Sequence, residues 1–306
     1  MTSSAVRDRP PAAGSSARSM PDAPGVTHRF VEARGARFHV ALAGSENGGE
    51  PVVLLHGLPQ HWYAWRLIIP HMADRYRLYC VDLRGCGWSE ATGPASGYRT
   101  AELARDVLAV LDALGLADER VRLIGHDAGG WVGFELCLRA PERFSRFVAL
   151  NVTHPWPGRA MLARHAWRFW YTAFWEYPVA GRVVLRRWPR FTRARLRQWA
   201  GRFHHWDEAA LDEFVAAAQT RQAARAIQAM LWQFVLRDIP ALVLGTRARR
   251  LTVPTLLLAG ELDPVSRGAR ATRQADSLRV EVVPGAHLLP ESAPGLVAAA
   301  AFEHFG

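Results

Sequence analysis

Short apolar runs recur along the chain at residues 37–43, 52–55, 77–82, 121–125, 147–151, 255–259 and 279–283, each bounded by turn residues. Between most of them lie segments whose apolar positions return at helical spacing, as at 62–73, 100–114 and 131–139. Buried strands alternating with amphipathic helices define an α/β fold class, with a mostly parallel sheet covered on both faces.

The alternation stops after Asn151. Up to about residue 250 the pattern is helical, dominated by Trp, Arg, Phe and Ala, with prolines at 155, 157, 178, 189 and 240 dividing it into short helices. This predicts an inserted helical cap over 151–250, which splits the α/β core into a first part, 26–150, and a second part, 251–306. Residues 1–25 are polar, Pro-rich and aperiodic, which predicts a disordered tail.

The chain has 306 residues, 49% of them hydrophobic, enough to bury a large core. No run of about 18 apolar residues is present, and the N-terminus lacks the apolar segment of a secretory signal. The expectation is a cytoplasmic protein with no integral membrane association. The formal charge of +10 would ordinarily suggest nucleic acid, but all 38 basic residues are arginine. A complete absence of lysine points to coding bias, so no nucleic-acid partner is expected. Arg182, Arg186, Arg187, Arg190, Arg193, Arg195, Arg197 and Arg202 crowd one cap segment. They read either as a solvated face or as an electrostatic surface toward anionic substrates, anionic lipid or a protein partner. Cys80, Cys86 and Cys137 form no C-x-x-C pair and read as reduced structural thiols. His204 and His205 are adjacent but would project about 100° apart on a helix, so no metal site is expected. No cofactor is called for.

Reactive residues follow the strands. Asp127 lies in Gly125-His-Asp-Ala-Gly-Gly130, a strand-to-helix turn with glycines that allow it to be sharp. Asp263 follows the run at 255–259, and His287 follows the last run. Ligands of open α/β sheets bind outside the carboxyl ends of strands, so the three side chains are expected on one sheet edge. Their chain order is nucleophile, acid, base. After the run at 52–55, His56-Gly-Leu58-Pro brings a backbone N–H from Leu58 beside that of Ala128, a candidate oxyanion hole. His56 itself reads as a structural residue shaping that loop.

The phrases HGLPQHWYAW at 56–65, DLRGCGWSE at 82–90, GHDAGGWVGFELCLRAPERF at 125–144, ALNVTHPW at 149–156, GELDP at 260–264 and GAHLLPESAP at 285–294 resemble the α/β-hydrolases of the epoxide hydrolase and haloalkane dehalogenase branch. The resemblance covers residues 27–306 and implies a mostly parallel eight-stranded sheet with an inserted cap. It implies an alkyl-enzyme ester formed by Asp127 and hydrolysed by a water that His287 activates, with Asp263 orienting the base. The small apolar organic substrate would be taken by a monomer or homodimer.

On the leaving side, epoxide hydrolases similar to this chain supply two cap tyrosines. Tyr171 matches one, with Tyr177 in reserve. Leu231 or Trp232 stands where the second is expected, and an indole N–H cannot release a proton near neutral pH. The candidate pocket residues are Trp62, Trp131, Trp170, Trp175, Tyr177 and Trp232. Haloalkane dehalogenases commonly carry tryptophan directly after the nucleophile and a side-chain donor after His-Gly; this chain has Ala128 and Leu58. Epoxide hydrolysis is therefore the first reading. Haloalkane dehalogenation is the alternative, followed by an esterase-like enzyme or a non-catalytic small-molecule binder.

Overall fold

The computed structural model describes residues 18–156, 177, 179–201, 204–240, 250–263, 266 and 277–306. Its strands are β1 (Val26–Ala33), β2 (Ala36–Ala43), β3 (Pro51–Leu55), β4 (Arg77–Val81), β5 (Val121–His126), β6 (Phe144–Leu150), β7 (Thr255–Gly260) and β8 (Leu278–Val283). They form one sheet in the order β1-β2-β4-β3-β5-β6-β7-β8, antiparallel at β1, β2 and β4 and parallel from β4 through β8. Every residue of β3, β5 and β7 is buried. That is why their sequences read as unbroken apolar runs: a central parallel strand is covered on both faces.

β1 was not among the seven apolar runs, because its first five residues point largely to solvent and show no alternation. It is fixed instead by a tight hairpin. Ala33 pairs with Ala36 across Arg34 and Gly35, both at positive φ, the backbone that matches the twist of the flanking strands.

The helical segment expected at 62–73 forms two short turns, a 3-10 turn at Trp62–Trp65 and α1 (Ile69–Met72). Pro70 in the first turn of α1 lacks the N–H needed to continue a helix from upstream. The segment is held by burial of Trp62, Trp65, Ile68, Ile69 and Met72. α2 (Thr100–Ala113) and α3 (Ala128–Arg139) pack on one face of the sheet, with Leu103, Val107, Val110, Phe134 and Phe147 in their apolar layer. The opposite face is covered by the turns around 62–72 and by the C-terminal helix, with Trp65, Met72, Val297 and Phe305 between.

In the region expected to be a cap, α4 (Ala180–Arg187), α5 (Pro189–Ala200), α6 (Glu208–Gln219) and α7 (Arg221–Gln233) pack on one another. A small apolar cluster of Leu196, Leu211, Phe214 and Val215 also contains Ala64 and Leu288 of the α/β part, so these helices share a core with the loop that carries His287. Two short helices close the chain, α8 (Leu289–Ser292) and α9 (Pro294–Phe305). Arg66 and Glu291 form a buried bidentate ion pair at 2.8 and 2.7 Å, tying the 62–66 turn to α8.

Candidate active site

β5 ends and α3 begins at Asp127, whose backbone is at φ 49°, ψ −115°. A positive φ at a non-glycine residue persists only where the surroundings over-determine it. Here the Asp127 N–H donates to the Leu150 carbonyl at 3.1 Å, and the Asp127 carbonyl accepts from Trp131 at 3.1 Å. The Gly129 N–H donates to the His56 carbonyl at 3.1 Å. A Cβ at Gly129 would lie 2.1 Å from the Leu55 carbonyl oxygen, so the helix approaches β3 only because residue 129 has no side chain. The Leu58 N–H donates to Asp127 Oδ2 at 3.1 Å. Ala128 is the first residue of α3, where backbone N–H groups have no partner within the helix.

Asp263 and His287 stand where the sheet order predicts, after β7 and β8. Asp263 Oδ1 accepts from His287 Nδ1 at 2.9 Å, and His287 Nε2 faces Asp127 Oδ1 at 3.8 Å. With its Nδ1 proton given to Asp263, the neutral ring turns the Nε2 lone pair toward Asp127. The Asp127 side chain keeps 29% of its surface accessible while that of Asp263 keeps none, so a ligand can reach the first and not the second. Burial opposes the charged form of His287, but the Asp263 charge, its hydrogen bond and the Asp127 charge outweigh it and hold the imidazole above its usual range. Burial likewise pushes Asp263 up, and the His287 charge with the hydrogen bonds from His287 and Ser266 brings it below the ordinary carboxylate range.

Three supporting residues were not singled out by sequence reasoning. Asn151 sits at the end of β6 with φ 47°. Its Nδ2 donates to the Ala286 and His287 carbonyls, both at 2.7 Å, and its Oδ1 accepts from the Gly260 N–H at 2.7 Å and lies 3.1 Å from the Ser266 hydroxyl oxygen. One side chain thus fastens the loops bearing Asp263 and His287 to each other. Ser266 donates its N–H to Asp263 Oδ2 at 2.7 Å, and its hydroxyl donates to the same oxygen. His126 donates Nε2–H to the His287 carbonyl at 2.8 Å. Burial, reinforced by the His287 charge, lowers His126 to about 4 and keeps it neutral. The signals were present in the chain: Asn151 lies in ALNVTHPW and His126 in GHDAGG, but nothing local says what either would touch.

His56 is fully buried, donating Nδ1–H to the Gly57 carbonyl at 3.0 Å and accepting the Leu83 N–H on Nε2 at 3.1 Å. It shapes the Leu58 loop, as expected.

The aromatic candidates divide. Trp131 is nearly buried one turn after Asp127 and meets Phe234, which follows α7, edge to face at 5.1 Å. Tyr177 is exposed, with its ring 6.0 Å from that of half-buried Trp232. Trp62 is not a pocket residue. Its indole is fully buried against His28, His39 and Tyr63, while its backbone N–H donates to Asp82 at 2.7 Å, so burial of a large apolar ring decides its place. Tyr171, Trp170 and Trp175 lie outside the described residues. Trp199 of α5, absent from the expected pocket set, packs edge to face on His287 with centroids 5.6 Å apart.

Cys80, Cys86 and Cys137 are buried free thiols, pushed up by burial. Among the described residues no helix is long and apolar enough to cross a membrane. No group of three or more His, Cys, Asp or Glu converges there to hold a metal ion.

The chain belongs to the alpha/beta hydrolase fold family, whose model matches residues 50–294. Epoxide hydrolase 4 of Mus musculus is 33% identical over 153 residues, 49% of this chain and 42% of that protein. The curated relatives are thus matched over less than half their length. A solved structure of a provisionally named acyltransferase from Salmonella enterica superposes with a TM-score of 0.82 at 26% identity, covering 94% of this chain and 97% of that one. A provisionally named epoxide hydrolase from Pseudomonas aeruginosa gives a TM-score of 0.78 at 29% identity, covering 93% and 97%.

Proposed function

We propose that the protein is an epoxide hydrolase that converts a small apolar epoxide to a vicinal diol through an ester on Asp127. The observation carrying this reading is the Asp127 carboxylate at the strained turn, facing His287 Nε2 across 3.8 Å and already held by the Leu58 N–H. A carboxylate at this position attacks an sp³ carbon; a serine would instead take an acyl group from an ester.

One Asp127 oxygen attacks an epoxide carbon and the ring C–O bond breaks, its electrons staying on the departing oxygen, which takes a proton from a cap acid. Tyr171 is the donor this reading assigns. His287 Nε2 then removes a proton from water, and the hydroxide adds to the ester carbonyl carbon. The N–H groups of Leu58 and Ala128 hold the resulting oxyanion. Collapse breaks the C–O bond to the substrate, whose oxygen takes the proton from His287 and leaves as diol. The regenerated Asp127 carboxyl loses its proton through solvent, and the Tyr171 phenol recovers one. In this reading α4 to α7 act as a cap, and Trp131, Phe234 and Trp199 supply apolar surface around the nucleophile.

The test is the intact mass of the His287→Gln variant after mixing with panels of apolar epoxides and haloalkanes, with the wild type assayed for diol. The reading expects an adduct of one epoxide mass on the peptide holding Asp127, and diol from the wild type. Adducts from haloalkanes alone would replace it with dehalogenation. No adduct and no diol from the folded protein would overturn it.

A further inference from the structure

Two groups of arginines on α4 to α7 differ in how their charge is met. On α5, Arg193 Nη1 lies 3.1 Å from Glu208 and Arg197 Nη2 2.6 Å from the same carboxylate, and Arg193 also pairs with Asp212. On the other side, Arg182 and Arg186 of α4 face Arg221 and Arg225 of α7 across a cleft of about 550 Å³, closed by Ala95 and Ala229. Among the described residues no carboxylate lines that cleft, and none of its four guanidiniums makes an ion pair.

Two of the four are held by neutral acceptors. Arg182 Nε donates to Gln228 Oε1 at 3.1 Å, which leaves its two Nη groups for other partners. Arg225 Nη2 donates to the Gly93 carbonyl at 3.0 Å. Such bonds fix the side chains without neutralising them. Four like charges around one concavity repel, and that repulsion is relieved when an anion occupies it. Guanidinium forks match the oxygens of a phosphoryl group, which offers several acceptors and more than one charge. Of the residues lining the cleft, none is Asp127, Asp263 or His287, nor Trp131, Phe234 or Trp199 beside them.

We propose that this cleft binds a phosphoryl-bearing anion, held by Arg182, Arg186, Arg221 and Arg225. The proposal is independent of the reaction at Asp127.

Inorganic pyrophosphate is the probe, titrated calorimetrically at physiological salt into the whole protein, the cleft variant Arg182→Gln/Arg225→Gln and the control Arg193→Gln/Arg197→Gln. The two variants lose the same charge, so only a local site separates them. The expected result is saturable binding weakened about tenfold or more in the cleft variant and little changed in the control, tenfold being the scale of one charge-assisted contact. Arg186→Gln, at an exposed side chain, gives a second reading if the double variant does not fold. A parallel arm uses vesicles of phosphatidylglycerol. Vesicle binding lost in the cleft variant, without pyrophosphate binding, assigns the phosphoryl group to a lipid surface. Absence of binding in both arms, or equal loss in cleft and control variants, overturns the proposal.

Discussion

His287 Nε2 and Asp127 Oδ1 face each other at 3.8 Å, longer than a hydrogen bond, while Nδ1 of the same ring is 2.9 Å from Asp263. The imidazole is anchored from behind and leaves its front toward the carboxylate. That arrangement suits a base acting on a water brought to an ester of Asp127, and it makes the base titration a measurable property.

In the proposed mechanism His287 serves as a base only when neutral, and its pKa is held above the usual 6.5. Activity is therefore retained above that raised pKa and lost as pH falls through it. The acid limb of the kcat/KM profile should have its midpoint above 6.5. In Asp263→Asn the stabilising charge is gone while burial remains, so the midpoint should move down and the rate should fall by about a hundredfold or more. A midpoint that stays put in the variant would mean that the limb reports another group.

Asn151→Ala removes three hydrogen bonds at once and leaves the Ala286 and His287 carbonyls and the Gly260 N–H buried without that partner. Buried groups stranded in this way cost about 1–3 kcal/mol each before the loops relax, so a loss of at least about 2 kcal/mol in urea unfolding is expected. The rate should fall as well, because the loops of Asp263 and His287 lose their common fastening. Wild-type kcat in a destabilised variant would separate the structural role from the positioning one.

At Gly129 a methyl group would meet the Leu55 carbonyl oxygen at 2.1 Å, a backbone atom that cannot rotate away. Gly129→Ala should push α3 off β3 and displace Asp127, costing about 3 kcal/mol or more, at the upper end of single substitutions. Thermal unfolding measures the first effect and turnover the second. A variant as stable and active as the wild type would contradict the close approach.

His126 has a folded pKa of about 4 against 6.5. The unfolded chain therefore takes up a proton that the folded protein refuses. Its contribution to stability is complete above pH 6.5 and declines as pH falls toward about 4, by up to about 3 kcal/mol on a simple linkage basis. Denaturant unfolding across that window should show the decline. His126→Gln, which keeps a donor for the His287 carbonyl and does not titrate, should show a smaller one.

Several features were legible in the chain because they depend on local order. The apolar runs of β3, β5 and β7 mark strands buried on both faces. The glycines around Asp127 announce a sharp turn, and the positions of Asp263 and His287 after their strands place them on one edge once the sheet is parallel. β1 was missed because an edge strand facing solvent carries no alternation, and the helix expected at 62–73 broke at Pro70.

What the sequence by itself determined is the α/β pattern and the order in which Asp127, Asp263 and His287 follow their strands. Only the tertiary structure decided that Asn151 binds loops more than a hundred residues away, that Trp62 belongs to the core and that Trp199 rests on His287. It also set Arg193 and Arg197 against carboxylates while Arg182 and Arg186 line a cleft that has none among the described residues. The physical reason is range. Strand and helix periods are set by neighbours within a few residues, whereas a hydrogen-bond partner, a burial site or a counter-charge is fixed by which distant surfaces pack together.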